Sequence, residues 1–116
     1  MDDADTYENF EIYLKRNPDL CFLALINDTI IGALKCGQDG RRGYLHHLSV
    51  KKEFRDQGIG KALYLKCINS LKKQGIKKCN LFVKDGNQTA LNFWQANGWK
   101  IINYDYRTLQ RDLMVD

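Results

Sequence analysis

Leu48-Ser49-Val50-Lys51-Lys52-Glu53-Phe54-Arg55-Asp56-Gln57-Gly58-Ile59-Gly60-Lys61-Ala62 is the stretch that decides the fold. An apolar strand end runs into a short polar turn. The turn carries two glycines spaced by one residue. An amphipathic pattern follows at once, with Leu63, Tyr64, Cys67, Ile68 and Leu71 on one helical arc. Strand, turn and helix are therefore joined without a linker. The first amides of a helix have no partner inside it, and the macrodipole makes that end positive. Such a terminus suits phosphate. Gly58 and Gly60 bring no Cβ between backbone and anion, and both tolerate φ > 0. Arg55 and Lys61 add positive charge.

Spacing separates three phosphate-loop patterns. A Walker loop needs Gly, four residues, then Gly-Lys-Ser/Thr. Gly60-Lys61 fits its end, but Arg55 stands at the first Gly and Ala62 at the Ser/Thr. A dinucleotide fingerprint needs a third Gly three residues after the second; Leu63 is there. The pattern that fits is Arg/Gln-x-x-Gly-x-Gly, met by Arg55, Gly58 and Gly60.

The chain has 116 residues, enough for one domain with a real core. Residues 1–116 read as that single domain. A net charge of +4, interrupted by 14 acidic residues, is a weak basis for a nucleic-acid footprint. It suits a ligand with several phosphates as well. Cys21, Cys36, Cys67 and Cys79 form no C-x-x-C pair and sit in apolar segments. They read as reduced core thiols of a cytoplasmic protein, not as a disulfide or zinc framework. No apolar run reaches membrane-spanning length, and no membrane partner is expected.

Along the chain, 6–16 suggests a helix that Asn17-Pro18 stops. Residues 21–26 read as a buried strand and 30–36 as its hairpin partner across Asn27-Asp28. Residues 37–43 are a polar, Gly-rich loop and 44–50 a third strand. The helix starts at 58 or 59 and ends at 74, with Lys72, Lys73 and Gly75 as stop signals. Residues 78–84 form a strand and 88–97 a helix ended by Gly98. Residues 101–106 and 109–115 read as closing strands, the first pairing with 78–84. This order is an α/β sandwich with a mixed sheet.

In strand 44–50, strict alternation puts Tyr44, His46, Leu48 and Val50 on one face and Leu45, His47 and Ser49 on the other. The two histidines then point apart, which disfavours a shared metal site. Either histidine has a plain structural reading on a sheet face.

Arg55-x-x-Gly58-x-Gly60 resembles the pyrophosphate-binding signature of the GNAT superfamily of N-acetyltransferases. Asn87-x-x-Ala90-x-x-Phe93-Trp94-x-x-x-Gly98-Trp99 is similar to that family's second signature. The element order also resembles the GNAT fold from its second helix onward. The resemblance implies a mixed β-sheet flanked by helices, lacking the usual first strand and helix. It implies acetyl-CoA as co-substrate and no metal. Leu48, Ser49, Val50, Arg55, Asp56, Gln57, Gly58, Ile59, Gly60, Lys61 and Ala62 would contact the coenzyme, and Asn87 its pantetheine arm. For Asn87, plain helix capping is an equally simple reading.

The resemblance implies direct transfer of an acetyl group to a primary amine. Such an amine is mostly protonated at neutral pH, so a base is needed. His46 occupies a position where the arylalkylamine branch of the family carries a histidine, and Tyr44 stands at the other such position. His46 is the candidate base and Tyr44 a weaker relay. One departure stands out. Trp94 replaces the Tyr whose hydroxyl serves many members as an acid, and an indole N–H is no useful acid. A CoA-binding or regulatory module that has lost catalysis is the alternative reading. A nucleic-acid-binding domain using Lys51, Lys52, Lys72, Lys73, Lys77 and Lys78 is a further, weaker one. The acceptor is a small-molecule or peptide amine, and a homodimer is open.

Overall fold

The computed structural model describes residue 12, residues 15–102 and residues 107–114. The helix expected over 6–16 falls mostly outside them; Ile12, Lys15 and Arg16 are helical. The chain divides into two compact units, residues 1–84 and 85–116.

The first unit is a four-stranded mixed sheet with one long helix. Strands β1 (Cys21–Ile26), β2 (Thr29–Gln38), β3 (Gly43–Val50) and β4 (Cys79–Leu81) lie in the order β1-β2-β3-β4. β1 and β2 are antiparallel, as are β2 and β3, while β3 and β4 are parallel. Asn27 and Asp28 have φ of 48° and 65°, the left-handed pair that a two-residue hairpin needs to match strand twist.

The loop between β2 and β3 is shorter than the Gly-rich stretch 37–43 suggests, because Gln38 and Gly43 still pair. Asp39 closes what remains: its Oδ1 accepts from the amides of Arg41 and Arg42, each at 2.8 Å. Those two amides hold the Asp39 carboxyl below its usual pKa. Gly43 is a glycine for steric reasons, since a Cβ there would lie 2.7 Å from Leu71 Cδ1.

Helix α1 (Ile59–Lys73) covers one face of the sheet. Leu63, Tyr64, Cys67 and Leu71 are buried on the predicted arc, against Leu20, Ile31, Leu34, Cys36 and Leu45. Burying such side chains contributes about 1.5–3 kcal/mol each before entropy is counted. The helix ends in a Schellman motif: Ile76 N donates to Leu71 O and Gly75 N to Lys72 O, each at 3.0 Å, with Gly75 at φ 83°.

The four cysteines all belong to this unit. Cys36 and Cys67 are fully buried. A hydrogen bond with Cys67, and then burial, push the Cys36 thiol upward in pKa. Burial pushes Cys79 up to about 12 and raises Cys21. Thiols held neutral in this way are poor nucleophiles.

In the second unit, helix α2 (Gln88–Ala96) ends the same way. Trp99 N donates to Trp94 O at 3.0 Å and Gly98, at φ 90°, to Gln95 O at 3.2 Å. Trp94 is buried edge-on between Phe93 and Trp99, at centroid distances of 4.9 and 5.4 Å. The closing strands are absent where they are described: residues 101–102 and 107–114 form no strand, and Leu109, Leu113 and Met114 are exposed. An apolar run is a strand only with a partner to pair with. Residues 103–106 and 115 lie outside the described residues.

Candidate functional site

The site begins where strict alternation fails in β3. Lys35 pairs with His46 and Ala33 with Ser49, so β3 spends three steps where β2 spends two. The extra residue is a bulge, and His47 takes φ 48°. One inserted residue inverts every later side chain. Residues paired across a ladder share a face, so Ser49 lies on the face of Lys35, His46 and Tyr44. Leu48 and Val50 turn to the other face, where Gly32, the partner of Val50, meets Leu63. The expected grouping of His46 with Leu48 and Val50 is thus corrected. So is the opposition of the histidines, whose ring centroids are 6.5 Å apart at a tilt of 38°. Among the described residues, no group of three or more His, Cys, Asp or Glu is placed to hold a metal ion.

The bulge coincides with the end of the β3–β4 ladder, whose last pair is Leu45 and Leu81. From His46 onward, β3 has no strand beside it on that edge among the described residues. Lys51 N donates to Ile31 O at 2.8 Å, so strand alternation turns the N–H and C=O of Val50, and of Leu48 before it, away from β2. The N–H and C=O of Leu48 and the N–H of Val50 form an open edge beside His46, while the Val50 carbonyl is taken by Arg55.

The turn follows. A 3₁₀ helix (Lys52–Phe54) leads to Arg55, whose Nε donates to Val50 O at 2.9 Å. Asp56 is left-handed at φ 61°, and so is Gly58 at φ 82°. Gly58 is the N-cap of α1 and makes no side-chain bond; its carbonyl accepts from Ala62 N at 3.0 Å. Of the two turn glycines, only Gly58 uses positive φ. Gly60 lies in the helix, in its first turn. Among the described residues, no acceptor meets the amides of Ile59, Gly60 or Lys61. A Cβ at Gly58 would meet nothing within 4 Å. Arg55, Gln57 and Lys61 are exposed, and among the described residues no ion pair ties Arg55 or Lys61. Unpaired amides at a positive helix end, open backbone at Gly58 and two cations together suit a diphosphate.

On the sheet face, Tyr44 and His46 stack at a centroid distance of 6.3 Å with planes 13° apart. Phe82, just beyond β4, stacks on Tyr44 at 6.3 Å and 14°. Tyr44 and His46 are thus brought together as alternation predicts, with Ser49 and Phe82 as additions. A ladder that parts at Leu45 cannot be read from composition. The signal for Phe82 was its place after the alternating run Cys79, Leu81.

Asn87 belongs to the second unit. Its Oδ1 accepts from Ala90 N at 3.1 Å, the helix cap that its residue type favours. The cap uses the oxygen only, and among the described residues the Nδ2 amide meets no partner. Trp94 is core in the second unit, in keeping with an indole that carries no acid chemistry.

The model of the Acetyltransferase (GNAT) family matches residues 1–99. An acetyltransferase of Pectobacterium atrosepticum is 30% identical over 112 residues, covering 97% of this chain and 78% of the relative. The PaiA N-acetyltransferase of Thermoplasma acidophilum, solved with coenzyme A, superposes with a TM-score of 0.78 at 27% identity, over 88% of this chain and 67% of that one. A GNAT family acetyltransferase of Elizabethkingia anophelis with acetyl-CoA bound gives 0.70 at 25% identity, over 84% and 63%. The chain belongs to the GNAT acetyltransferase family and is an acyltransferase that draws on acetyl-CoA.

Proposed function

We propose that residues 1–116 work as one N-acetyltransferase domain that moves the acetyl group of acetyl-CoA to a primary amine by direct attack. The observation that carries this reading is the continuity of three features in one short stretch. His46 stands at the bulge, the backbone edge left open by Leu48 and the Val50 N–H follows, and the unpaired amides at the start of α1 come next.

Acetyl-CoA supplies an activated thioester. The protein's part is positional and electrostatic. The amides of Ile59, Gly60 and Lys61, with the Arg55 guanidinium and Lys61, would hold the diphosphate, while Asp56, Gln57 and Ala62 shape the turn around it. The edge of Leu48, Ser49 and Val50 would take the extended pantetheine arm as an added strand takes its neighbour. A backbone N–H on that edge would stabilise negative charge on the thioester oxygen during attack. His46 would accept the proton of the attacking amine, directly or through water, and Tyr44 would steady its ring. The resemblance also makes Asn87 a candidate contact of the pantetheine arm; within its own unit its Oδ1 serves the helix cap.

No cysteine is set up as a nucleophile, in keeping with direct transfer. The thiolate of CoA is a tolerable leaving group, so an acid at the Trp94 position is not required. The acceptor is a small-molecule or peptide amine. A thiol-release screen with peptide, polyamine, arylalkylamine and aminoglycoside acceptors tests the reading. Turnover with one class is expected. Acetyl-CoA binding without release on any acceptor would favour a coenzyme-binding module instead.

A further inference from the structure

Asp56 and Asp85 are consecutive acids in the sequence, and between them stand seven lysines. The net charge of +4 therefore hides an asymmetry: this stretch is strongly basic and the rest of the chain is net negative. Lys61, Lys66, Lys72, Lys73, Lys77 and Lys78 are all exposed, and among the described residues no ion pair ties them.

The fold arranges four of these lysines in two rows along α1. At 3.6 residues per turn, Lys61 and Lys72 stand about 20° apart around the helix, as do Lys66 and Lys73, and the two rows are about 120° apart. The crest between the rows is neutral: Ala62, Leu65 and Asn69, all exposed. Leu63, Tyr64, Cys67 and Leu71 hold the opposite side of the helix against the sheet. Lys77 and Lys78 continue the charge past the Schellman turn at Gly75.

We propose that this face of α1 docks into the major groove of a DNA duplex and holds it through its phosphates, independently of base sequence. A B-form major groove about 12 Å wide admits one α-helix, with a phosphate backbone on each flank. Two lysine rows on either side of a neutral crest match that layout. Other polyanions fit it less well. A helix that lies on a membrane turns its apolar face to the lipid, and the apolar arc of α1 is spent on the sheet. Duplex RNA has a deep, narrow major groove that keeps a helix out. Single strands bind on aromatic stacking platforms, and the exposed face of α1 carries no aromatic residue. Lys61 begins one row and also stands at the coenzyme turn. The other five lysines set the expected number of phosphate contacts at about five.

Fluorescence anisotropy of a short labelled DNA duplex with the full chain, over a salt series, tests this. Five phosphate contacts predict that log Kd rises against log salt with a slope of about 4 to 5. Lys66→Gln/Lys73→Gln removes exposed charges of one row, so it should fold as the wild type does, which circular dichroism checks. Its binding should be weaker by roughly tenfold or more at about 50 mM salt, and its slope lower by about 2. Lys15→Gln/Lys100→Gln makes the same change of charge away from α1 and should keep affinity and slope near the wild-type values. Absence of duplex binding at about 50 mM salt, or equal losses in the two double variants, would overturn the proposal. So would equally tight binding of an RNA duplex of the same sequence, of phosphatidylserine–phosphatidylcholine vesicles or of polyglutamate.

Discussion

Arg55 donates its Nε to the carbonyl of Val50 at 2.9 Å, across five residues. The bond ties the last residue of β3 to the turn. It also leaves the terminal nitrogens of the guanidinium for an anion, a division of labour that a planar fork of donors permits. Arg55→Ala is expected to weaken acetyl-CoA binding about tenfold, in line with loss of a charge-assisted bond at an exposed site. Arg55→Lys should keep part of the charge and lose the shape, giving an intermediate affinity. Calorimetry on the three proteins checks this; equal affinities would show that the guanidinium plays no part.

Gly58 holds φ 82° with open space where a Cβ would be. Its substitution should therefore strain the backbone without a clash. Gly58→Ala is expected to lower stability by about 1 kcal/mol. Gly58→Asn should cost less, because Asn tolerates the left-handed region better. Denaturant unfolding separates the two. If Ala and Asn behaved alike, the conformation would not be the cause.

His46→Ala is expected to lower kcat at neutral pH by a factor on the order of 100 to 10,000, the range for a positioned base. Acetyl-CoA affinity should stay near the wild-type value, because the proposed coenzyme contacts are backbone groups and the turn before α1, not the His46 ring. Parallel losses in both quantities would point to packing instead.

Cys79 gives a stability prediction with a definite sign. Burial raises its pKa from 9.0 to about 12, so the folded state keeps the proton that the unfolded chain releases. The contribution is fully present below pH 9 and is lost as pH rises toward 12. Cys36 adds to the same trend. The slope should be on the order of 1 kcal/mol per pH unit in that window. Cys79→Ala should flatten it. An identical alkaline profile in wild type and variant would show that the thiol is not the source.

Much of this was written in the chain. Residues 21–26 are the first strand, though at the sheet edge with Leu23, Leu25 and Ile26 exposed and not buried as their apolar run suggests, and the stop signals Lys72, Lys73 and Gly75 mark the end of α1. Local chemistry decides such features: Gly75 ends a helix because it alone enters the left-handed region freely. The bulge at His47 was not legible. It depends on how β2 and β3 share a register, and nothing in Tyr44–Val50 announces an unpaired residue. That one residue moves Ser49 onto the face of His46 and takes Leu48 and Val50 off it. Gly58 and Gly60 were both read as tolerating φ > 0, and only Gly58 uses that freedom; spacing alone does not say which glycine turns the chain. The run 109–115 looked like a strand because its apolar residues suit one, but pairing is a long-range property.

The central claim is that the bare amides at the start of α1 grip the diphosphate of acetyl-CoA. Calorimetry of acetyl-CoA with the wild type and with Gly60→Glu tests it most directly, with circular dichroism to confirm that both are folded. The account predicts saturable one-to-one binding by the wild type and none by the variant, whose carboxylate would stand at the phosphate position. A folded wild type that takes up no acetyl-CoA, or a variant that binds it equally well, would contradict it.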